Sequence, residues 1–98
     1  MSTWTVHYTS ESGPVFVLPV NAIESYPMLR IITTPTGPRA VARLVQDYVG
    51  KEPCTVHVTD GQRDITMRAR ITHMEHRVPP FVPDDTWTFV IESDQRPL

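Results

Sequence analysis

Most of this sequence consists of short segments in which apolar and polar residues alternate, separated by prolines and glycines. In the first segment, Thr3–Thr9, the apolar residues Trp4, Val6 and Tyr8 occupy every second position. A period of two is typical of a half-buried β-strand, because successive side chains of a strand point to opposite faces. Valine, isoleucine and threonine supply 30 of the 98 residues, and these β-branched residues favour strands. The sequence therefore predicts a mainly β protein.

Six segments have a strand pattern and are bounded by turn residues. They are Thr3–Thr9, Val15–Val20, Met28–Thr34, Cys54–Thr59, Arg63–Thr72 and Thr86–Glu92. The second begins with a continuous apolar run, which predicts a strand covered on both faces, and Pro19 restricts it to a sheet edge or a bulge near its end. The segment Asn21–Pro27 has no clear period and is compatible with one helical turn.

The Asp60-Gly61 pair lies between two strand segments and predicts a β-hairpin with a type I′ turn, which requires a positive φ at both central positions. Along the returning strand the apolar residues occupy odd-numbered positions as far as Ile71, whereas Met74 occupies an even-numbered position. Such a change of phase indicates a β-bulge near His73.

A single helix is predicted, at about residues 38–49. Its apolar stripe consists of Val41, Leu44, Val45, Tyr48 and Val49, which have the spacing of one helix face. Pro38 suits the first helical turn, and Gly50 followed by Pro53 predicts the end. A helix of three turns is marginal in isolation, so we expect it to pack on the sheet.

These elements predict one domain spanning residues 1–98 with a short polar tail at residues 93–98. The expected architecture is a small β-sandwich or barrel of about six strands with one α-helix packed on it. The apolar runs are too short for a membrane-spanning helix, and the N-terminus lacks the pattern of a secretion signal. Cys54 is the single cysteine, which excludes an internal disulfide and favours a reducing compartment.

The sequence offers little with which to build a catalytic site. There is no Gly-x-Ser-x-Gly motif, and the four glycines are too dispersed for a phosphate-binding loop. The adjacent acids Asp84 and Asp85 lie in a proline-bounded loop. We expect them to start a strand or to face a partner's arginine rather than to act as a catalytic acid and base. We predict that the protein is not an enzyme and has no cofactor or small-molecule substrate.

Two pairs of potential metal ligands lie three residues apart, Cys54 with His57 and His73 with His76. Residues three apart on a strand point to opposite faces, so neither pair is expected to bind one ion unless a bulge brings both side chains to the same face. We therefore predict no metal site.

A nucleic-acid-binding function is the alternative hypothesis. Three β-strands, a helix and further β-strands follow one another in the order of an OB-fold barrel, a fold that commonly binds single-stranded nucleic acid. Arg68 and Arg70 form a small basic stripe in one strand. The net charge of -2 and the pI near 6.0 oppose binding driven by phosphates. An OB-like barrel that binds single-stranded nucleic acid or another ligand stays open as the second interpretation.

Assembly with other proteins is the first hypothesis. The stiff loop Val78–Val82 places Phe81 where it is exposed for docking or, equally well, folded back as a lid. Eight of the nine basic residues are arginine, which suits interfaces but also follows from a GC-rich genome. The residues that we expect at intersubunit contacts are Phe81, Val82, Arg68, Arg70, Arg96 and Leu98.

The segments Asp60-Gly61-Gln62-Arg63, Arg68-Ala69-Arg70-Ile71 and Trp87-Thr88-Phe89-Val90, within a small arginine-biased β domain with one helix and a long hairpin, resemble the small structural proteins of tailed bacteriophages. These are tail, head-to-tail connector and capsid decoration proteins. The resemblance implies a homo-oligomeric ring or lattice subunit without catalysis. Its partners would be copies of itself and other virion proteins, and its location would be the host cytoplasm during assembly and then the virion, with no membrane association.

Overall fold

The computed structural model describes residues 4–24, 28–80 and 85–93. These residues form seven strands and one helix. The strands are β1 (Thr5–Ser10), β2 (Val15–Leu18), β3 (Ala22–Glu24), β4 (Arg30–Thr33), β5 (Pro53–Thr59), β6 (Asp64–Arg77) and β7 (Thr86–Ser93), and helix α1 is Pro38–Val49. The mainly β architecture with one helix is confirmed.

All seven strands belong to one antiparallel sheet with the order β2-β1-β5-β6-β7-β4-β3. The sheet curls into a half-barrel that does not close, so the predicted small β-sandwich or barrel is matched in its β-rich, curled character but not as a closed barrel. The expected strand number of about six was also too low by one. The additional strand is β3, which lies in the segment that was compatible with a helical turn. Three residues are too few to display a period, and β3 exists because it pairs with β4.

The curl of the sheet follows from the connection between its two edges. β2 and β3 lie at opposite edges, yet only residues 19–21 separate them, and four residue steps span at most about 14 Å. The hydroxyl of Thr33 donates a 2.6 Å hydrogen bond to the carbonyl of Pro19, which holds this connection against β4. The two edges therefore face each other without pairing.

The concave face of the sheet carries the hydrophobic core, and α1 covers it. The largest fully buried side chains are Tyr8, Phe89, Leu18, Ile31, Leu44 and Ile91. The predicted helix bounds are confirmed, but the buried stripe differs from the prediction. Val49 is 70% exposed, whereas Ala40 and Asp47 are buried together with Leu44. The buried carboxylate of Asp47 has partners in the sheet, which turns the helix toward that side.

β2 is not covered on both faces, as the apolar run had predicted. Val15 and Val17 are 58% and 64% exposed, whereas Leu18 is buried. The reason is that β2 is an edge strand of a single sheet, and α1 packs on the concave face only. Val15 and Val17 belong to the opposite, convex face.

The predicted hairpin before β6 and the predicted bulge within β6 are both present. The hairpin connects β5 to β6 at Asp60-Gly61, and a register shift falls between Ile71 and His73. The type I′ assignment was wrong, because Gly61 has a φ of 92° while Gln62 has no positive φ. The Asp60 carboxylate accepts hydrogen bonds from the amides of Gln62 and Arg63, so this side chain stabilises a turn with glycine at its first central position.

Candidate functional site: the open edge of the sheet

The candidate site is a groove between the edge strand β2 and the start of helix α1, which we call the edge groove. It is lined by Phe16, Val17 and Pro19 on the strand side and by residues 35–40 on the helix side, and its volume is about 480 Å³. The sequence brings these two walls together because the β2–β3 connection curls the sheet toward β4, and the chain leaves β4 directly into α1.

Among the described residues, nothing pairs with the backbone groups along the outer edge of β2. The amide of Ser10 donates to the carbonyl of Pro14 at 2.9 Å, and two residues earlier Tyr8 pairs with Phe16. Hydrogen-bonded and non-hydrogen-bonded pairs alternate along an antiparallel ladder. The backbone amide and carbonyl of Phe16 therefore point to β1, and those of Val15 and Val17 point in the opposite direction, beyond the edge of the sheet.

The side chains of Val15 and Val17 stand on the convex face next to a row of polar residues. Val17 is paired with His7, and His7 is paired with His57. The rings of the two histidines lie 5.8 Å apart between centroids, and Nε2 of His57 is 2.9 Å from Oδ1 of Asp64. The valines thus form a small apolar patch at the rim of a polar sheet surface.

The charge of the edge groove is positive. Of the described residues that line it, only Arg39 carries a charge, and Arg39 has no ion pair within the part of the chain that the structure describes. The first turn of α1 contains no acidic residue, and its N-cap, Gly37, provides no side-chain hydrogen bond. Among the described residues, therefore, no carboxylate compensates Arg39 or the partial positive charge of the helix N-terminus.

A buried polar network fixes α1 against the sheet and so fixes the helix wall of the groove. The hydroxyl of Tyr8 donates to Oδ2 of Asp47 at 2.5 Å, and that of Ser10 donates to Oδ1 at 3.3 Å. Nε of Arg43 lies 3.4 Å from the same Oδ1, and Nη1 of Arg43 donates to Ser12 at 2.9 Å. Burial, and then the hydrogen bond to Asp47, raise the pKa of Tyr8 far above its usual value.

Of the sequence-predicted contact residues, the structure describes Arg68 and Arg70, and neither lines the edge groove. Phe81, Val82, Arg96 and Leu98 lie outside the described residues. Arg68 and Arg70 lie in β6, which β1 and β5 separate from β2. Nη2 of Arg68 is 3.5 Å from Oε1 of Glu11, and Arg70 donates to the carbonyl of Lys51 at 2.8 Å.

The residues that were considered as metal ligands are placed apart. Cys54 is buried on the concave face with Sγ 3.4 Å from the carbonyl of Ala69, whereas His57 is on the convex face. His76 stacks on Trp87 at 3.8 Å between ring centroids. Among residues 4–24, 28–80 and 85–93, no group of three or more histidine, cysteine or acidic side chains is arranged to hold a metal ion.

No helix in the described ranges has the length and apolar character needed to cross a membrane. No family model, curated protein or solved structure matches the chain.

The edge groove was missed at the level of sequence, although one local signal was present. Pro14 and Pro19 bracket the short apolar run, and Pro35 and Pro38 bracket the approach to the helix. Prolines at both ends of a short strand are typical of a sheet edge, since proline cannot donate to a ladder. That signal identifies β2 as an edge strand but does not reveal which segment faces it.

Proposed function

We propose that this protein is a non-enzymatic structural subunit that works by binding other protein chains. The observation that carries the proposal is the open edge of β2, where the exposed valines Val15 and Val17 accompany backbone groups that no other described residue pairs with. Natural proteins usually protect such an edge with a charge, a bulge or a cover, because it is a template for pairing with another chain. β2 itself contains no charged residue.

The use of the buried polar residues agrees with this proposal. Tyr8, Ser10 and Asp47 are the kind of groups from which an active site is built, but here they bind one another and attach α1 to the sheet. Their role is to hold the two walls of the edge groove at a fixed separation. A preorganised surface of this kind lowers the cost of ordering a partner.

The proposal extends to a virion component of a tailed phage, with copies of itself and other virion proteins as partners. This extension is supported by the resemblance in size, β-rich pattern and arginine bias. Under it the protein resides in the host cytoplasm during assembly and afterwards in the virion.

The test is sedimentation velocity over a range of protein concentrations, combined with negative-stain electron microscopy of the concentrated samples. We expect the wild-type chain to form larger species and the double variant Val15→Lys/Val17→Lys to remain monomeric, because a charged edge strand resists pairing. Val49→Lys is the control for an added lysine, since it places one such charge at an exposed valine on α1, away from β2.

Assembly that persists in the double variant would contradict a contact at β2. Wild-type protein that stays monomeric at every concentration, and that also binds no other component of a particle, would contradict the proposed function itself.

A further inference from the structure

We propose that the edge groove binds an extended segment of a partner protein in which an apolar side chain is followed by an acidic residue. This inference rests on the proposed function and specifies the chemistry of the partner. The segment would pair with β2 as an additional strand, place its apolar side chain in the groove and bring its carboxylate to Arg39.

The extended conformation of the partner follows from the backbone of β2. Val15 and Val17 direct their amide and carbonyl groups beyond the edge of the sheet, with Val17 in the groove lining, and an extended peptide satisfies such groups by strand addition. A four-residue edge offers two residues of this kind. The partner segment is therefore short, about four to six residues.

The apolar anchor follows from the lining of the groove. Phe16, Pro19 and Pro35 contribute ring and methylene surface, and Ala40 contributes a methyl group on the helix side. A volume of about 480 Å³ exceeds what one large aliphatic or aromatic side chain needs, so it accommodates that side chain together with the adjacent backbone.

The acidic residue follows from charge complementarity. Arg39 is the charged side chain of the groove lining and has no ion pair among the described residues. A carboxylate from the partner would complete a bidentate pair with the guanidinium. The adjacent start of α1 carries no acid that would compete for it.

The same charge argues against a contact in which β2 pairs with the β2 strand of a second copy. An isologous pairing of two β2 strands places the same patch of each copy against the other. The two edge grooves would then adjoin, and two Arg39 side chains would meet without a carboxylate from the groove of either copy. A partner segment of opposite charge avoids this repulsion.

The experiment titrates the full chain with three fluorescein-labelled octapeptides and measures anisotropy. The first peptide alternates threonine and valine and ends in leucine and two aspartates. The second replaces the aspartates with lysines, and the third carries N-methyl groups on alternate amides of the first. We expect the first peptide to bind at least about tenfold more tightly than either control.

Three variants localise the binding. Arg39→Glu should weaken binding of the acidic peptide by about three- to tenfold, as expected for reversal of an exposed ion pair, and should improve binding of the lysine peptide. Arg77→Glu is the matched control on β6, outside the groove. Val17→Pro removes an outward amide without loss of a ladder bond, so it should abolish binding. If that variant does not fold, the N-methylated peptide tests the same strand pairing from the other side, because it lacks amides that would donate to the carbonyls of β2.

The outcomes separate the inference from the proposed function. Equal binding of all three peptides, or no binding up to millimolar concentration, overturns the inference even if the protein self-associates through β2. Self-association that competes with the acidic peptide and that Arg39→Glu leaves intact identifies a contact between two β2 strands and also overturns the inference. Absence of both peptide binding and self-association contradicts both proposals.

Discussion

The phenolic hydroxyl of Tyr8 in β1 donates a 2.5 Å hydrogen bond to the carboxylate of Asp47 in α1. Both residues are buried, and 39 positions of sequence separate them. This contact joins the sheet to the helix that covers it. It also explains why Asp47 faces the core, where an unpaired carboxylate would be strongly unfavourable.

Replacing Tyr8 with phenylalanine should lower the free energy of unfolding by about 1–3 kcal/mol, because the buried acceptor on Asp47 loses its donor. For a domain of this size, each kcal/mol corresponds to a fall in Tm of about 4–8 °C. Urea unfolding followed by circular dichroism measures the difference. Tyr48→Phe is the control, since Tyr48 is only half-buried and makes no such bond in the described structure. Equal stability of Tyr8→Phe and wild type would show that the Tyr8–Asp47 bond contributes nothing.

The same hydrogen bond predicts a loss of stability in alkali. Burial and Asp47 raise the pKa of Tyr8 in the folded state above the value of about 10 for an exposed tyrosine. The stabilisation is therefore complete below pH 10 and declines as the pH rises further, because only the unfolded chain then releases the proton. Unfolding free energies at pH 8 and pH 11 should differ more for wild type than for Tyr8→Phe. A parallel decline in both proteins would contradict this assignment.

The turn at Asp60 should respond to acid. Hydrogen bonds from the amides of Arg63 and Gln62 lower the pKa of Asp60 in the folded state. The resulting stabilisation is present above the unfolded pKa near 4 and is lost as the pH falls through the lower, folded value. Asp60→Ala should have a lower Tm than wild type at pH 7, and the gap should narrow at pH 3. A gap that is independent of pH would exclude a role for the charge.

The orientation of α1 gives a simple stability test. Leu44 is fully buried, whereas Val49 is 70% exposed. Leu44→Ala should cost about 2–5 kcal/mol because it leaves a cavity in the core, and Val49→Ala should change stability by less than about 0.5 kcal/mol. Chemical denaturation of the two variants compares them directly. A large loss for Val49→Ala would mean that the helix faces the sheet with its predicted stripe instead.

Local signals determined the parts of the fold that the sequence predicted well. Pro38 and Gly50 mark the ends of α1, and the observed helix has the predicted bounds. The change of apolar parity after Ile71 corresponds to the observed bulge. In each case the residues that specify the feature lie within or beside it.

Features that depend on distant partners were predicted poorly. Val15 and Val17 are apolar, and only the position of β2 at a sheet edge leaves them exposed. Asp47 interrupts an apolar stripe, and only its contact with Tyr8 explains its burial. The edge groove combines β2 with the start of α1, which the curl of the sheet brings together. Sequence periodicity contains no information about such pairings.

The central claim is that the outer edge of β2 is open in the isolated chain and is covered when a partner binds. Amide hydrogen exchange measured by NMR tests this claim residue by residue. In dilute protein the amides of Val15 and Val17 should exchange rapidly while that of Phe16 is protected, and binding or assembly should slow Val15 and Val17 selectively. Protection of Val15 and Val17 in the dilute monomer, or exchange that stays fast in the bound state, would contradict the account.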